Sequence, residues 1–436
     1  QSKIWGVNMR EMKDSGISWI PKIPINWSIH RLKYIVDSLS KGNGITKEDV
    51  LLNGDTPCVR YGEIYSKYDY SFTTCISRTN VDKVSSPQYF SYGDILFAGT
   101  GELIEEIGMN IVYLGDYDCL AGGDIIIARH QQNPAFLNYA LNSGYIQSQK
   151  GFGKAKLKVV HISAFDLGNL IVALPPITEQ KLIADYLDSK CAEFNSTLSD
   201  IQSQIEALEE YKRSVITEVV TKGLDPDVEM RDSGIAWVGD IPAHWLVEKV
   251  KFHLQRNEPR NPGDKQVLSV YREYGVIPKD SRDDNHNVTS EDTSNYKYVV
   301  PGNLVINKMK AWQGSMGVSE YEGIVSPAYF IYKFTDNQIM PKYLHYLFRS
   351  CYKDEFRRIS GGIREGQWDL SPYEFSNTLL LIPPTDEQNR IVSYIDARIS
   401  EIEFAITEKK QQIETIEEYK KSLIFEYVTG KKEVQA

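Results

Sequence analysis

The stretch Met12-Lys-Asp-Ser-Gly-Ile-Ser-Trp19, continued by Ile23-Pro24 and Trp27, recurs as Met230-Arg-Asp-Ser-Gly-Ile-Ala-Trp237 with Ile241-Pro242 and Trp245, a constant shift of 218 (230 minus 12). Further along, Leu174-Pro-Pro-Ile-Thr-Glu-Gln180 returns as Ile382-Pro-Pro-Thr-Asp-Glu-Gln388, and Glu209-Glu-Tyr-Lys-Arg-Ser214 returns as Glu417-Glu-Tyr-Lys-Lys-Ser422, both at a shift of 208 (382 minus 174). Repeats at fixed spacing mean that a structural unit has been used twice. Between these landmarks the copies share little beyond Gly93-Asp-Ile-Leu96 opposite Gly302-Asn-Leu-Val305. The order of motif, variable domain and helix is therefore run through twice, over six segments: 1–27, 28–174, 175–223, 224–245, 246–382 and 383–436.

From Thr178 to Thr221 there is no Gly or Pro, and apolar residues fall at Leu187, Cys191, Phe194, Leu198, Ile201, Ile205 and Leu208, in alternating steps of four and three. That spacing is a heptad seam. Its second copy runs Ile395, Ile399, Ile402, Ile406, Lys409, Ile413 and Ile416, with one polar interruption. Thr178 and Asp386 after Pro-Pro suit a helix start, since proline ends the preceding strand and a short polar side chain can take the first free amides. At 1.5 Å per residue the first helix makes a rod of roughly 66 Å. The second helix has to bring the chain back, so the two are expected to lie antiparallel with their seams facing, and the motif at residue 12 to dock near the end of the second helix. The variable segments mix short β-rich runs such as Ile125-Ile-Ile-Ala128 and Ala328-Tyr-Phe-Ile-Tyr332 with helical pieces and Gly, Pro and Asn turns. The expected fold class is α+β: two α+β domains separated by two long antiparallel coiled-coil helices.

The 436 residues carry 49 basic and 59 acidic side chains, a formal charge of −10, with 42% hydrophobic residues. This is globular arithmetic and excludes disorder, collagen and disulfide scaffolds. No run nears the roughly 18 apolar residues of a membrane span, and the charged first 20 residues lack a signal-peptide core, so a cytoplasmic protein is expected. Cys58, Cys75, Cys119, Cys191 and Cys351 lie far apart without a CxxC pair, and read as reduced, buried thiols.

The net charge argues against nonspecific coating of nucleic acid, yet the variable domains, at −2 and +1, are less acidic than the helices and linker. In the first domain no carboxylate occurs between Asp124 and Asp166, while Arg129, Lys150, Lys154, Lys156 and Lys158 all fall there. Such a block is a candidate for binding phosphates; the alternative is a solvated face. The second domain offers Lys308, Lys310, Arg357, Arg358 and Arg364, with Trp312 and Gln367 interleaved. Arg60, Tyr61 and Arg272 sit at expected turns, where they could reach bases or serve the fold.

The duplicated order of Asp-Ser-Gly-Ile-x-Trp, Ile-Pro-x-x-Trp, Gly-Asp-Ile-Leu, Pro-Pro-x-x-Glu-Gln and a heptad helix ending Glu-Glu-Tyr-Lys-x-Ser resembles the specificity subunit of Type I restriction-modification systems over essentially the whole chain. The resemblance implies two target recognition domains, each reading one half of a split asymmetric site in double-stranded DNA, and a coiled-coil spacer that docks two modification (methyltransferase) subunits. It further implies ATP-dependent restriction subunits as partners, with S-adenosylmethionine, ATP and Mg belonging to those partners and no cofactor, metal or catalytic residue in this chain.

Three other readings stand beside it. Phe97-Ala-Gly99-Thr-Gly101 superficially resembles the Phe-x-Gly-x-Gly loop with which amino-methyltransferases hold S-adenosylmethionine, but the Asn/Asp-Pro-Pro-Tyr/Phe partner motif is missing, as are nucleotide-loop, metalloprotease and nuclease patterns. A coiled-coil adaptor that binds proteins at its ends is the non-enzymatic alternative, and the specificity half of a fused restriction-methylation enzyme is another.

Overall fold

The computed structural model describes residues 10–155, 159–272, 274–281, 292–362 and 368–434. The chain divides into two units, residues 1–201 with 411–436 and residues 202–410. Both long helices, Ile177–Lys222 and Thr385–Val428, cross from one unit's residues into the other's. They begin at Ile177 and Thr385, one residue before the positions read from the sequence.

In the first unit a five-stranded sheet runs in the order Val36–Lys41, Ile125–His130, Ile95–Ala98, Asn110–Tyr113, Ser71–Phe72, antiparallel except for the last pairing. Side chains alternate across it, as a strand dictates. Ile95, Phe97, Val112, Ile126 and Ala128 join one core with the helix Pro134–Asn142, while Leu96, Ala98, Ile111, Ile125 and Ile127 face a second core closed by Phe72, Phe90 and Tyr113. Because both faces are covered, the strand reads as continuous Ile-Ile-Ile rather than as alternation.

In the second unit the four-stranded sheet Leu254–Arg256, Tyr329–Phe334, Leu304–Asn307, Met316–Val318 has the order of the first four strands of its counterpart. The helices Pro341–Ser350 and Lys353–Arg358 follow, as Pro134–Asn142 and Gly144–Gly151 do in the first unit. Each variable segment closes on a two-stranded ladder between its own ends: Ser28–Arg31 with Ile171–Leu174, and Leu246–Lys249 with Leu379–Ile382.

The recurring motifs hold each unit's variable segment and helices together. Glu179 Oε1 accepts from Trp27 Nε1 (3.1 Å), and its Oε2 from Asn26 Nδ2 (3.1 Å). Gln180 donates to Gln132 Oε1 and Pro175 O and accepts from the Asn133 amide. Gln388 repeats this with Gln338 O, Pro383 O and the Met340 amide. Glu387 accepts instead from His244 Nε2 (2.7 Å), and Trp245 Nε1 stays buried without a bond.

Within each unit the long helices run antiparallel. In the first, Tyr186 meets Tyr427 and Phe194 meets Tyr419, with ring centroids 4.6 and 5.6 Å apart. In the second, Lys212 pairs with Glu403 at 2.7 Å and Lys409 donates to Gln204 Oε1. Lys409, the polar interruption of the seam, thus reaches across to an amide. Leu187, Ile201, Ile205, Ile395, Ile402 and Ile406 are buried, and Phe194, Leu198, Leu208, Ile413 and Ile416 half-buried. Ile17, Ile20, Ile23 and Trp27 share a core with Leu423, Ile424, Tyr427 and Val428 at the end of the second helix.

All five cysteines are free thiols, four of them buried. Among the described residues no helix is long and apolar enough to cross a membrane.

Candidate nucleic-acid interface

The helices that carry Lys150 and Arg357 lie at equivalent places in the two units. In the first, the helix Gly144–Gly151 leads through 152–159 to the strand Val160–His161, and the Ile162 amide donates to Gly99 O (3.0 Å). In the second, the helix Lys353–Arg358 leads through 359–368 to the strand Asp369–Leu370, and the Leu370 amide donates to Lys308 O (2.8 Å). Gly99-Thr100-Gly101 and Lys308-Met309-Lys310 therefore occupy one backbone position in two copies of the fold. The same scaffold carries different chemistry there.

In the first unit the glycines serve close packing. A Cβ on Gly99 would lie 2.9 Å from Asp124 O, and one on Gly101 2.8 Å from the Tyr65 hydroxyl. Thr100 is buried and approaches His161 Nδ1 at 3.0 Å. This loop, the foothold of the methyltransferase reading, is filled by the chain's own atoms.

Lys150 has to be withdrawn from the phosphate candidates. It is 1% exposed, donates to Gly108 O (2.6 Å) and Asn110 Oδ1 (2.9 Å), and lies over the Phe97 ring. A count of charges along the chain cannot distinguish such a lysine from a solvated one. Burial lowers its pKa from 10.5 to about 7. The unfolded chain keeps the ordinary value, so above pH 7 unfolding takes up a proton and stability rises with pH until about 10.5. Between pH 7 and 9 the rise should be about 2 kcal/mol and should disappear in Lys150→Met. Urea unfolding of both proteins at the two pH values checks this; an equal rise in both would refute it.

Lys154 is ion-paired with Asp166 at 2.8 Å. Partial burial raises the Asp166 pKa, but hydrogen bonds from Lys154 and Ser163 outweigh it and the net shift is downward. The carboxylate that ends the acid-free block thus partly neutralises it. Lys154 borders an open cleft of about 410 Å³ lined also by Trp19, Lys150, Phe152 and Asp166, in which Phe152 is 80% exposed. Lys156 and Lys158 lie outside the described residues.

Other candidates are tied to local acids. Arg60 caps the helix Tyr61–Ser66 and binds Glu63, which is buried and also accepts from Ser77. Tyr61 beside it is exposed. Arg129 reaches Ser40 Oγ at 3.2 Å and the Tyr89 carbonyl, with Asp94 3.8 Å away. Arg358 binds buried Glu355 through two bonds, at 2.7 and 2.8 Å.

The second unit gathers a more open set. Lys308 pairs with Asp369 at 3.1 Å, Trp312 and Trp368 pack at a tilt of 57° with centroids 5.4 Å apart, and Lys310 and Arg357 are exposed. The short helix Ala311–Gln313, which carries Trp312, packs on Lys353–Arg358. Arg272 is exposed and bonds Gln313. Arg364 and Gln367 lie outside the described residues. Sequence reading missed Trp368; its packing against a tryptophan 56 positions earlier (368 minus 312) leaves no local signal. Among the described residues no group of three or more His, Cys, Asp or Glu side chains could hold a metal ion.

A family model described as a Type I restriction modification DNA specificity domain matches residues 24–207 and 253–415. The chain is 24% identical over 430 residues to a Methanocaldococcus jannaschii protein that carries the name of the MjaX type I restriction enzyme specificity subunit, covering 94% of this chain and 95% of that one. It is 22% identical over 400 residues to the EcoKI specificity subunit of Escherichia coli, covering 86% and 82%. A chain from a structure concerned with complex assembly and conformational transition of the type I R-M system superposes with a TM-score of 0.68 at 14% identity, covering 94% of this chain and 99% of that one.

Proposed function

Because the chain belongs to the Type I restriction-modification DNA specificity family, we propose that it reads a bipartite, asymmetric site in double-stranded DNA, each unit reading one half. One observation carries this: a single backbone frame used twice presents Gly99-Thr100-Gly101 in one unit and Lys308-Met309-Lys310 in the other, between equivalent helices and strands. Unlike side chains on like frames are what two unlike half-sites require, whereas an adaptor binding one protein at both ends would keep them alike. The paired Trp312 and Trp368 and the exposed Lys310 and Arg357 supply apolar and cationic groups of the kind that meet bases and phosphates.

In this reading the chain performs no chemistry. It positions two methyltransferase subunits on a sequence, restriction subunits join for cleavage, and S-adenosylmethionine, ATP and Mg are held by those partners in the cytoplasm. The absence of a methyltransferase partner motif and the closed packing of Gly99 and Gly101 support this.

Selection from a random duplex pool by the chain assembled with its methyltransferase subunits tests the reading. Two short specified blocks separated by an unspecified gap are expected; a single continuous block or no enrichment would refute it. In the same assembly Lys310→Ala with Arg357→Ala should weaken binding to every sequence and reduce the slope of log affinity against log salt by about 0.9 for each phosphate left without its cation. An unchanged slope would assign both side chains to solvent.

A further inference from the structure

One surface departs from the rule that the two variable domains differ. In the first unit Tyr34 and Phe165 are 71% and 78% exposed; in the second, Phe252 and Tyr373 are 60% and 74% exposed. Tyr34 and Phe252 are related by the shift of 218, Phe165 and Tyr373 by that of 208. Their surroundings repeat in detail. Lys33 Nζ lies 5.3 Å from the Tyr34 ring centroid and Lys251 Nζ 5.6 Å from that of Phe252. Lys33 donates to Asn169 Oδ1 (3.4 Å) and Lys251 to Asn377 Oδ1 (3.3 Å). Each asparagine amide then donates to the carbonyl of the second aromatic residue: Asn169 to Phe165 (2.9 Å), Asn377 to Tyr373 (3.0 Å). Arg31 and Lys249 place a second cation at matching positions.

Exposed aromatic rings add nothing to a core, and four of them at paired positions are not scattered surface residues. Side chains that read unlike half-sites have to differ between the units, so side chains that stay alike must meet something that is itself the same twice. Two aromatic rings with two cations match an apolar protein face rimmed by carboxylates better than a phosphate backbone, which asks for more charge and fewer rings.

We propose that Tyr34 with Phe165, and Phe252 with Tyr373, are two equivalent docking sites, each taking one copy of the same methyltransferase subunit. This rests on the reading of the chain as a specificity subunit. Each lysine stiffens its site by tying the two aromatic-bearing elements together through the asparagine.

Native mass spectrometry and sedimentation of the chain titrated with its methyltransferase subunit test the proposal. The unsubstituted chain should bind two copies. Tyr34→Ser with Phe165→Ser should leave one copy at full affinity and weaken the other at least tenfold, and adding Phe252→Ser with Tyr373→Ser should weaken both. Tyr34→Phe with Phe165→Tyr should restore the pair. Melting should be unchanged in every variant, because the substituted rings are exposed. Two copies bound with unchanged affinity by the fourfold variant would overturn the proposal, as would weakened DNA binding by the chain alone with partner stoichiometry intact, which would give the rings to DNA. Failure of the unsubstituted chain to bind any methyltransferase subunit would instead remove the specificity-subunit reading, and the proposal with it.

Discussion

Exchanging residues 28–174 for the corresponding segment of a relative should change one half of the recognised DNA sequence completely and leave the other half as it was. The structure gives the cut points a physical basis. Both ends of the segment lie in one ladder, Ser28–Arg31 against Ile171–Leu174, with Ser28 opposite Leu174 and Arg31 opposite Ile171, so the donor segment brings its closing strand pair intact. Few polar bonds leave it: Tyr139 Oη donates to Asp188 Oδ1 (2.8 Å), the Asn133 amide and Gln132 side chain bind Gln180, and Asp69 accepts from Asn195 Nδ2 (2.8 Å) and faces Lys420 Nζ at 3.7 Å. The remaining demand is apolar, since Phe136 packs edge-on against Trp27. A donor with an aromatic residue there should fold. The second unit, residues 202–410, contains none of the exchanged residues and should keep its half-site. Sequencing of methylated sites in cells carrying the exchange decides the matter: two altered halves, or none, would refute one reader per unit.

What was legible in the sequence is what depends on identity. Gln180 and Gln388 make three corresponding bonds, and an amide side chain can donate and accept at once, so the Glu-Gln landmark stands out as a repeat; Trp245 and Glu387 keep the residue types of Trp27 and Glu179 although Glu387 takes its bond from His244. The seams were legible because a long helix shows its buried stripe over many turns. The sheets were legible only in pieces. Ile95–Ala98 and Leu304–Asn307 occupy equivalent strands and show it mainly through the Gly93 and Gly302 turns before them, because a strand buried on both faces asks only for apolar bulk, and the two copies have drifted to Ile-Leu-Phe-Ala and Leu-Val-Ile-Asn.

The candidate interface was half legible, for electrostatic reasons. Arg60 with Glu63 and Arg358 with Glu355 are three residues apart on helices and could have been read as local pairs. Lys150 could not, because its acceptors, Gly108 O and Asn110 Oδ1, lie some 40 positions away. The aromatic pairs were hidden because Tyr34 with Phe252 and Phe165 with Tyr373 match in type and not in identity, and the identical residues near them, such as Lys33 with Lys251 and Asn169 with Asn377, are isolated in stretches that mostly differ.

The largest single-residue effect is expected at Gly430. Each long helix ends on a glycine with positive φ, Gly223 at 76° and Gly430 at 71°, where a left-handed residue turns the chain out of the helix. Adding a Cβ there costs about 1 kcal/mol in backbone strain alone. The surroundings then separate the two. A Cβ on Gly430 would sit 2.4 Å from Pro24 Cδ and 3.3 Å from Trp27 Cζ2, against a proline ring that has no rotamer with which to yield. A Cβ on Gly223 would meet Glu387 Oε1 at 2.9 Å, the tip of a side chain that can swing away, with Pro242 Cγ at 3.7 Å. Gly430→Ala should therefore push the Ile23-Pro24-x-x-Trp27 turn off the end of the second helix and cost about 3 kcal/mol, against about 1 kcal/mol for Gly223→Ala. Trp27 is 1% exposed, so its displacement should appear as a red-shifted emission and as new protease cleavage near residue 27, both absent in Gly223→Ala. Pro24→Ala, by removing most of the ring, should recover part of the stability in the Gly430→Ala background. Equal destabilisation by the two glycine substitutions, with no recovery, would mean that the left-handed backbone alone, and not the packing of helix end against motif, sets the cost.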